Sequence, residues 1–255
     1  MTDSHCHLDA PEFDADRQAV IDRARAAGVE QQVVPAIQAS EWEQLREICS
    51  GQRGLFPAYG LHPMFLAQHQ PEHLRQLGDW IAREKPVAVG ECGLDLFVEN
   101  LDPNTQQLYF DGQLELARDF DLPVIAHARR AVDAVIASFK RVGKLRGVVH
   151  SFSGSPEQAR QLWQLGFMIG IGGPVTYARA NRLRGLVTEM PLEYLLLETD
   201  APDQPDAEIR GQRNEPARLS FVCETIAELR GVDAATIAVA TTANARRLFN
   251  LPDAA

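Results

Sequence analysis

Short apolar runs alternate with longer amphipathic stretches along the whole chain. Eight runs have strand length: Thr2–Leu8, Gln31–Ile37, Leu55–Leu61, Val87–Glu91, Val124–His127, Gly147–His150, Phe167–Ile171 and Tyr194–Glu198. They are rich in Val, Ile and Leu, as expected of strands buried on both faces of a parallel sheet. The stretches between them carry apolar residues at helical spacing. Asp14–Ala27 is one, with Gly28 as its stop, and Ser40–Ser50 is another, with Ser40 and Glu43 placed as a capping box. Pro71–Arg83, Asn104–Phe120, Asp133–Arg141, Pro156–Leu165 and Ala178–Thr188 follow, and after the last strand come Pro216–Leu229 and Ala234–Phe249. Eight repeats of strand then helix predict a (β/α)8 TIM barrel, a fold of about 250 residues. The chain has 255 residues, and without linker or low-complexity tract it reads as one domain, 1–255. An open doubly wound sheet is the alternative. It would place a glycine-rich turn after the first strand, where this chain has His5-Cys6-His7.

Barrel enzymes carry their chemistry at the C-terminal ends of the strands. Those ends here offer metal-ligand residue types. His5 and His7 are two apart and share one face of a strand. They either chelate a cation or are two histidines near a terminus. Glu91 closes the run Pro86–Gly90, where a buried carboxylate is costly unless paired or metal-bound, and its two oxygens allow it to bridge two cations. His127 and His150 end consecutive strands, and each alone also reads as a satisfied core histidine. Asp200 ends the run Leu195–Thr199, and Ala201-Pro202 after it allows a plain turn aspartate. His62, just past the third strand, reads as a substrate contact, as support for a ligand, or as a turn histidine before Pro63. Of the seven histidines, five fall at predicted strand ends, while His69 and His73 lie in a Gln-rich stretch and read as surface. Such segregation points to one or two divalent cations and to a metal-dependent hydrolase.

Composition narrows the partners. The formal net charge of −10 argues against a protein that coats nucleic acid broadly, though not against a metal-dependent nuclease. Arg129, Arg130, Arg179, Arg182, Arg184, Arg210 and Arg213 supply local cations, and arginines on helix faces are often plain surface. No apolar run is long enough for a membrane helix, and the N-terminus lacks the features of a secretory signal, so a cytoplasmic protein is expected. Cys6, Cys49, Cys92 and Cys223 form no C-x-x-C pair and read as buried packing residues.

Six segments together resemble the TatD family of metal-dependent deoxyribonucleases, among the amidohydrolase-like barrels. They are Asp3–Leu8, Gly60–Pro63, Gly90–Asp95, Leu122–Arg129, His150–Gly154 and Glu198–Pro202. Gly93–Phe97 and Gly211–Pro216 resemble its YjjV-like branch. The resemblance spans essentially the whole chain. It implies two metal ions, one held by His5, His7, Glu91 and Asp200, the other by Glu91, His127 and His150, with Glu91 bridging. Related barrels bridge with a carbamylated lysine, but the nearest lysine here, Lys85, precedes the fourth strand. The expected activity is hydrolysis of DNA phosphodiester bonds at oligonucleotide ends, with magnesium, manganese or zinc. Asp200 would take a proton from the attacking water through a free oxygen. Arg129, His62 and Arg213 would hold substrate phosphates. Ester or amide hydrolysis on the same metals, as in D-aminoacyl-tRNA deacylation, and a non-catalytic metal scaffold are the alternatives. A monomer is the default.

Overall fold

The computed structural model describes residues 1–253. Eight strands lie in one sheet in chain order, β1 to β8. They are β1 (Thr2–Asp3), β2 (Gln31–Pro35), β3 (Leu55–Tyr59), β4 (Ala88–Asp95), β5 (Val124–Arg129), β6 (Gly147–Val149), β7 (Phe167–Ile171) and β8 (Leu195–Leu197). Helices α1 (Arg17–Ala26), α2 (Trp42–Ser50), α3 (Glu72–Glu84), α4 (Pro103–Asp119), α5 (Val132–Val142), α6 (Pro156–Gln164) and α7 (Asn181–Glu189) fill the gaps, and α8 (Leu219–Arg230) and α9 (Ala234–Phe249) follow β8. This is the (β/α)8 TIM barrel that the hydrophobic pattern predicts, not the doubly wound alternative.

The chain divides into two compact units, Pro35–Met168 and Met1–Val34 with the chain from Ile169 onward. In the first unit β4 pairs in parallel with β3 and with β5, and β5 with β6. Val89, Ile125, Ala126, Val148 and Val149 are fully buried there. Gly93 faces His127 in the β4–β5 register, and a Cβ at Gly93 would lie 2.1 Å from the His127 carbonyl oxygen, so only glycine lets the strands approach at this point. In the second unit β1 pairs with β2 and β7 with β8. Asn244 on α9 donates to the carbonyls of Leu192 and Leu195, tying that helix to the start of β8.

The strand ends depart from expectation in two instructive ways. The ladder of β1 stops at Asp3, not Leu8, and β4 runs on to Asp95, beyond Glu91. Extension of β4 follows its pairing with β5, which continues to Asp95 opposite Arg129. The capping box at Ser40 does not form: Ser40 lies in a 3-10 turn, and Glu41 precedes α2 without a side-chain cap. Among the described residues no helix is long and apolar enough to cross a membrane. All four cysteines are buried thiols, as expected.

Two buried glutamines on α4 hold the outgoing ends of β3 and β4. Gln113 accepts from the Leu61 N–H at 2.7 Å and donates to the Leu61 carbonyl at 3.0 Å. Gln106 treats Asp95 in the same way, at 2.8 and 2.9 Å. Each amide stands in for a neighbouring strand. Gln113→Leu keeps the volume but leaves two buried backbone groups unpaired, which costs roughly 2 kcal/mol. A fall of about 5 °C in the thermal midpoint is expected. An unchanged midpoint by calorimetry would show that water replaces the amide.

Candidate metal centre

Past Asp3 the chain runs beside the segment that leaves β8. Ser4 N–H donates to the Leu197 carbonyl at 2.9 Å, Asp200 N–H to the His5 carbonyl at 2.9 Å, and His7 N–H to the Ala201 carbonyl at 2.7 Å. Asp3 fastens this crossing from inside. Its carboxylate is fully buried and accepts from the Thr199 hydroxyl at 2.6 Å, the Thr199 N–H at 3.0 Å and the His5 N–H at 3.2 Å. Burial pushes the Asp3 carboxyl up to about 7, against the pull of the Thr199 bonds.

The crossing brings His5, His7 and Asp200 together. The two Nε2 atoms are 3.1 Å apart and lie 3.4 and 3.7 Å from Asp200 Oδ1. Ligands bonded at about 2.1 Å to one ion stand about 3.0–3.5 Å from each other, so this spacing suits a divalent cation. Asp200 itself adopts a left-handed backbone, φ 57°. Its second oxygen accepts from Gln204 Nε2. The expectation of a free oxygen on Asp200 is therefore corrected: an amide already holds it.

A second cluster forms on β4, β5 and the residues that follow β3 and β6. Glu91 Oε1 lies 2.7 Å from His150 Nε2, 3.2 Å from His127 Nδ1 and 2.9 Å from His62 Nε2. His127 Nδ1 and His150 Nε2 are 3.4 Å apart, again a ligand spacing. The far nitrogen of His127, Nε2, contacts Asp95 Oδ2 at 3.0 Å. A carboxylate there accepts from the Nε2–H and leaves Nδ1 its lone pair. Burial disfavours a charged His127, but the bonds to Asp95 and Glu91 outweigh it and raise its pKa. Asp95 is fully buried; burial would raise its carboxyl, yet His127 and the N–H groups of Val98 and Phe97 hold it well below the usual range.

His62 lies against Glu91. Its Nδ1 accepts from the Met64 N–H at 3.1 Å, so the proton sits on Nε2, which donates to Glu91. Burial lowers its pKa to about 4, only partly offset by Glu91, so the ring is neutral near pH 7. His69 corrects the surface reading: it is buried and donates to the His62 carbonyl at 2.9 Å. His73 is partly exposed, with its ring nitrogen accepting from the Gln70 N–H.

The two arginines differ. Arg129 ends β5, two residues beyond His127, with its guanidinium 3.8 Å from the centre of the Phe97 ring. Arg213 instead forks onto Asp16, both bonds at 2.8 Å, and donates to the Glu12 carbonyl at 2.7 Å. That hydrogen-bonded fork holds the Asp16 carboxyl down at about 2. Arg213 thus grips its own chain. Asp95, Asp3 and Gln204 are the supporting residues that sequence reasoning missed. Asp95 lies on β4 beyond Glu91, past the end of the strand that the sequence predicts.

Comparison with known proteins places these clusters in a family. Residues 2–250 match the model of "TatD related DNase". The metal-dependent hydrolase YjjV of Escherichia coli K12 is 44% identical over 98% of both chains. A "3'-5' ssDNA/RNA exonuclease TatD" of Klebsiella pneumoniae is 34% identical over 98% of both. The crystal structure of the Escherichia coli YjjV protein superposes with a TM-score of 0.95 at 42% identity, covering 99% of this chain and 98% of that one. With imidazoles and carboxylates at metal-ligand spacing and a full-length match of this kind, the chain belongs to the TatD family of metal-dependent hydrolases.

Proposed function

We propose that this chain hydrolyses phosphodiester bonds of DNA at oligonucleotide ends, acting as a single-domain cytoplasmic monomer. The carrying observation is the pair of imidazole–carboxylate clusters at ligand spacing, one built on Asp200 and the other on Glu91. A single-stranded exonuclease among its relatives supports the substrate class. His5, His7, Glu91 and Asp200 would hold one divalent cation, and Glu91, His127 and His150 a second, with Glu91 shared. Magnesium, manganese or zinc would supply acidity to a water and offset phosphate charge.

The chain's own residues do the rest. The Asp200 carboxylate takes the proton of the attacking water and returns it to the leaving oxygen. Gln204 fixes the carboxylate plane through Oδ2. His62 holds Glu91 through Nε2, and Arg129 meets a substrate phosphate. Gln204→Ala is expected to lower kcat about tenfold, worth about 1.4 kcal/mol, with KM nearly constant. Steady-state kinetics showing a KM effect alone would assign Gln204 to substrate binding.

The central test strips the protein, reloads it with manganese or magnesium, and follows an end-labelled single-stranded oligonucleotide on a gel, with Glu91→Ala beside it. A ladder shortening from one end, absent in the variant, supports the proposal. No cleavage despite bound metal redirects it to ester or amide hydrolysis, which a simple aryl ester and a D-aminoacyl-tRNA then test.

A further inference from the structure

Beyond His127 on β5, Arg129 and Arg130 form with Phe97 an exposed group that the proposed reaction does not use in full. Arg129 and Arg130 both lie over the Phe97 ring, with guanidinium carbons 3.8 and 4.6 Å from its centre. All three side chains reach solvent. Among the described residues neither guanidinium has a carboxylate partner, in a chain whose net charge is −10. Most other arginines near acidic groups here are paired, Arg23, Arg141, Arg213 and Arg218 among them.

The group is built rather than accidental. Arg130 takes a left-handed backbone, φ 52°, which a non-glycine residue adopts at a cost. That turn brings two successive side chains onto one ring, where strand alternation would send them apart. Phe97 is placed by Asp95, whose Oδ1 accepts from the N–H groups of Phe97 and Val98 at 2.9 and 3.0 Å, while Oδ2 holds His127. One carboxylate thus joins the ring that braces the arginines to a candidate metal ligand. Arg129 also lies directly opposite Asp95 in the β4–β5 register.

Resting on the phosphodiesterase reading, we infer that Phe97, Arg129 and Arg130 form a subsite for the phosphate next to the scissile one in single-stranded nucleic acid. The substrate class is then a chain of at least two phosphates, in preference to a mononucleotide or an isolated ester. Phe97 is a brace that holds both forks by cation–π contact, and the forks bind the non-bridging oxygens.

Binding of a fluorescein-labelled, phosphorothioate-linked single-stranded oligonucleotide to the metal-loaded protein tests this without turnover. Anisotropy would be read across a salt series for the wild type, Arg130→Met, Phe97→Ala and Phe97→Trp. Arg130→Met is expected to weaken binding several-fold and to reduce the slope of log K against log salt by about 0.7. Phe97→Ala should weaken it further, since both forks lose their brace, and Phe97→Trp should restore it. A labelled mononucleotide should bind the wild type and Arg130→Met alike. Wild-type affinity and slope in Arg130→Met would overturn the subsite while leaving the phosphodiesterase reading intact. Failure of the wild type itself to bind the oligonucleotide would overturn that reading and the subsite with it. Because the three side chains are exposed, thermal midpoints of the variants provide the check on folding.

Discussion

Glu91→Gln is expected to abolish phosphodiester hydrolysis, by on the order of 10³-fold or more, about 4 kcal/mol of transition-state stabilisation. One oxygen of this buried carboxylate faces the ring nitrogens of His62, His127 and His150 at 2.9, 3.2 and 2.7 Å. It is the negative charge of that cluster. The neutral amide keeps the shape but offers no charge to a cation beside His127 and His150, and its NH2 could not accept from His62 Nε2. Metal content of the desalted protein and the hydrolysis rate should fall together. Full metal occupancy with an undiminished rate would remove Glu91 from the site.

The second large effect concerns a residue outside the proposed ligand set. Asp95→Asn should weaken metal binding by about 10–100-fold, the usual range for a carboxylate behind a ligating histidine. The wild-type carboxylate accepts a hydrogen bond from the His127 Nε2–H, which leaves Nδ1 ready to donate its lone pair. In the variant, Oδ1 can keep its bonds to Phe97 and Val98, so the amide NH2 turns toward Nε2. The ring then moves its proton to Nδ1, the nitrogen that faces Glu91. Competition with a chromophoric chelator measures the loss. Unchanged affinity would mean that His127 selects its tautomer without Asp95.

The strand–helix alternation was legible because burial on both faces leaves an uninterrupted apolar signal. Ligand-type residues stood out for the same reason, as polar residues terminating apolar runs. What sequence could not convey was which partner each polar side chain finds, near or far along the chain. Arg213 reads as an available cation until Asp16, nearly the whole chain away, is found within its fork. His69 reads as surface in a Gln-rich stretch, but its ring is turned inward onto the His62 carbonyl. Asp200 reads as a carboxylate with a spare oxygen until Gln204, one turn later, is seen to occupy it. Asp95 was within a recognisable segment, yet its role depends on β4 continuing past Glu91, which the β5 ladder decides rather than local propensity.

Helix α4 also acts as a ruler. Gln106 and Gln113 stand seven residues apart, two turns or about 10.5 Å along the axis, and each grips the backbone of one strand end. The separation between Leu61 and Asp95 is thus set by helical pitch, and with it the places of His62 and of the carboxylate behind His127. Deleting one residue between the two glutamines would turn one of them about 100° away from its strand end. Point substitutions on the outer face of α4 are then harmless, whereas a change of register within it misaligns two supports of the Glu91 cluster at once.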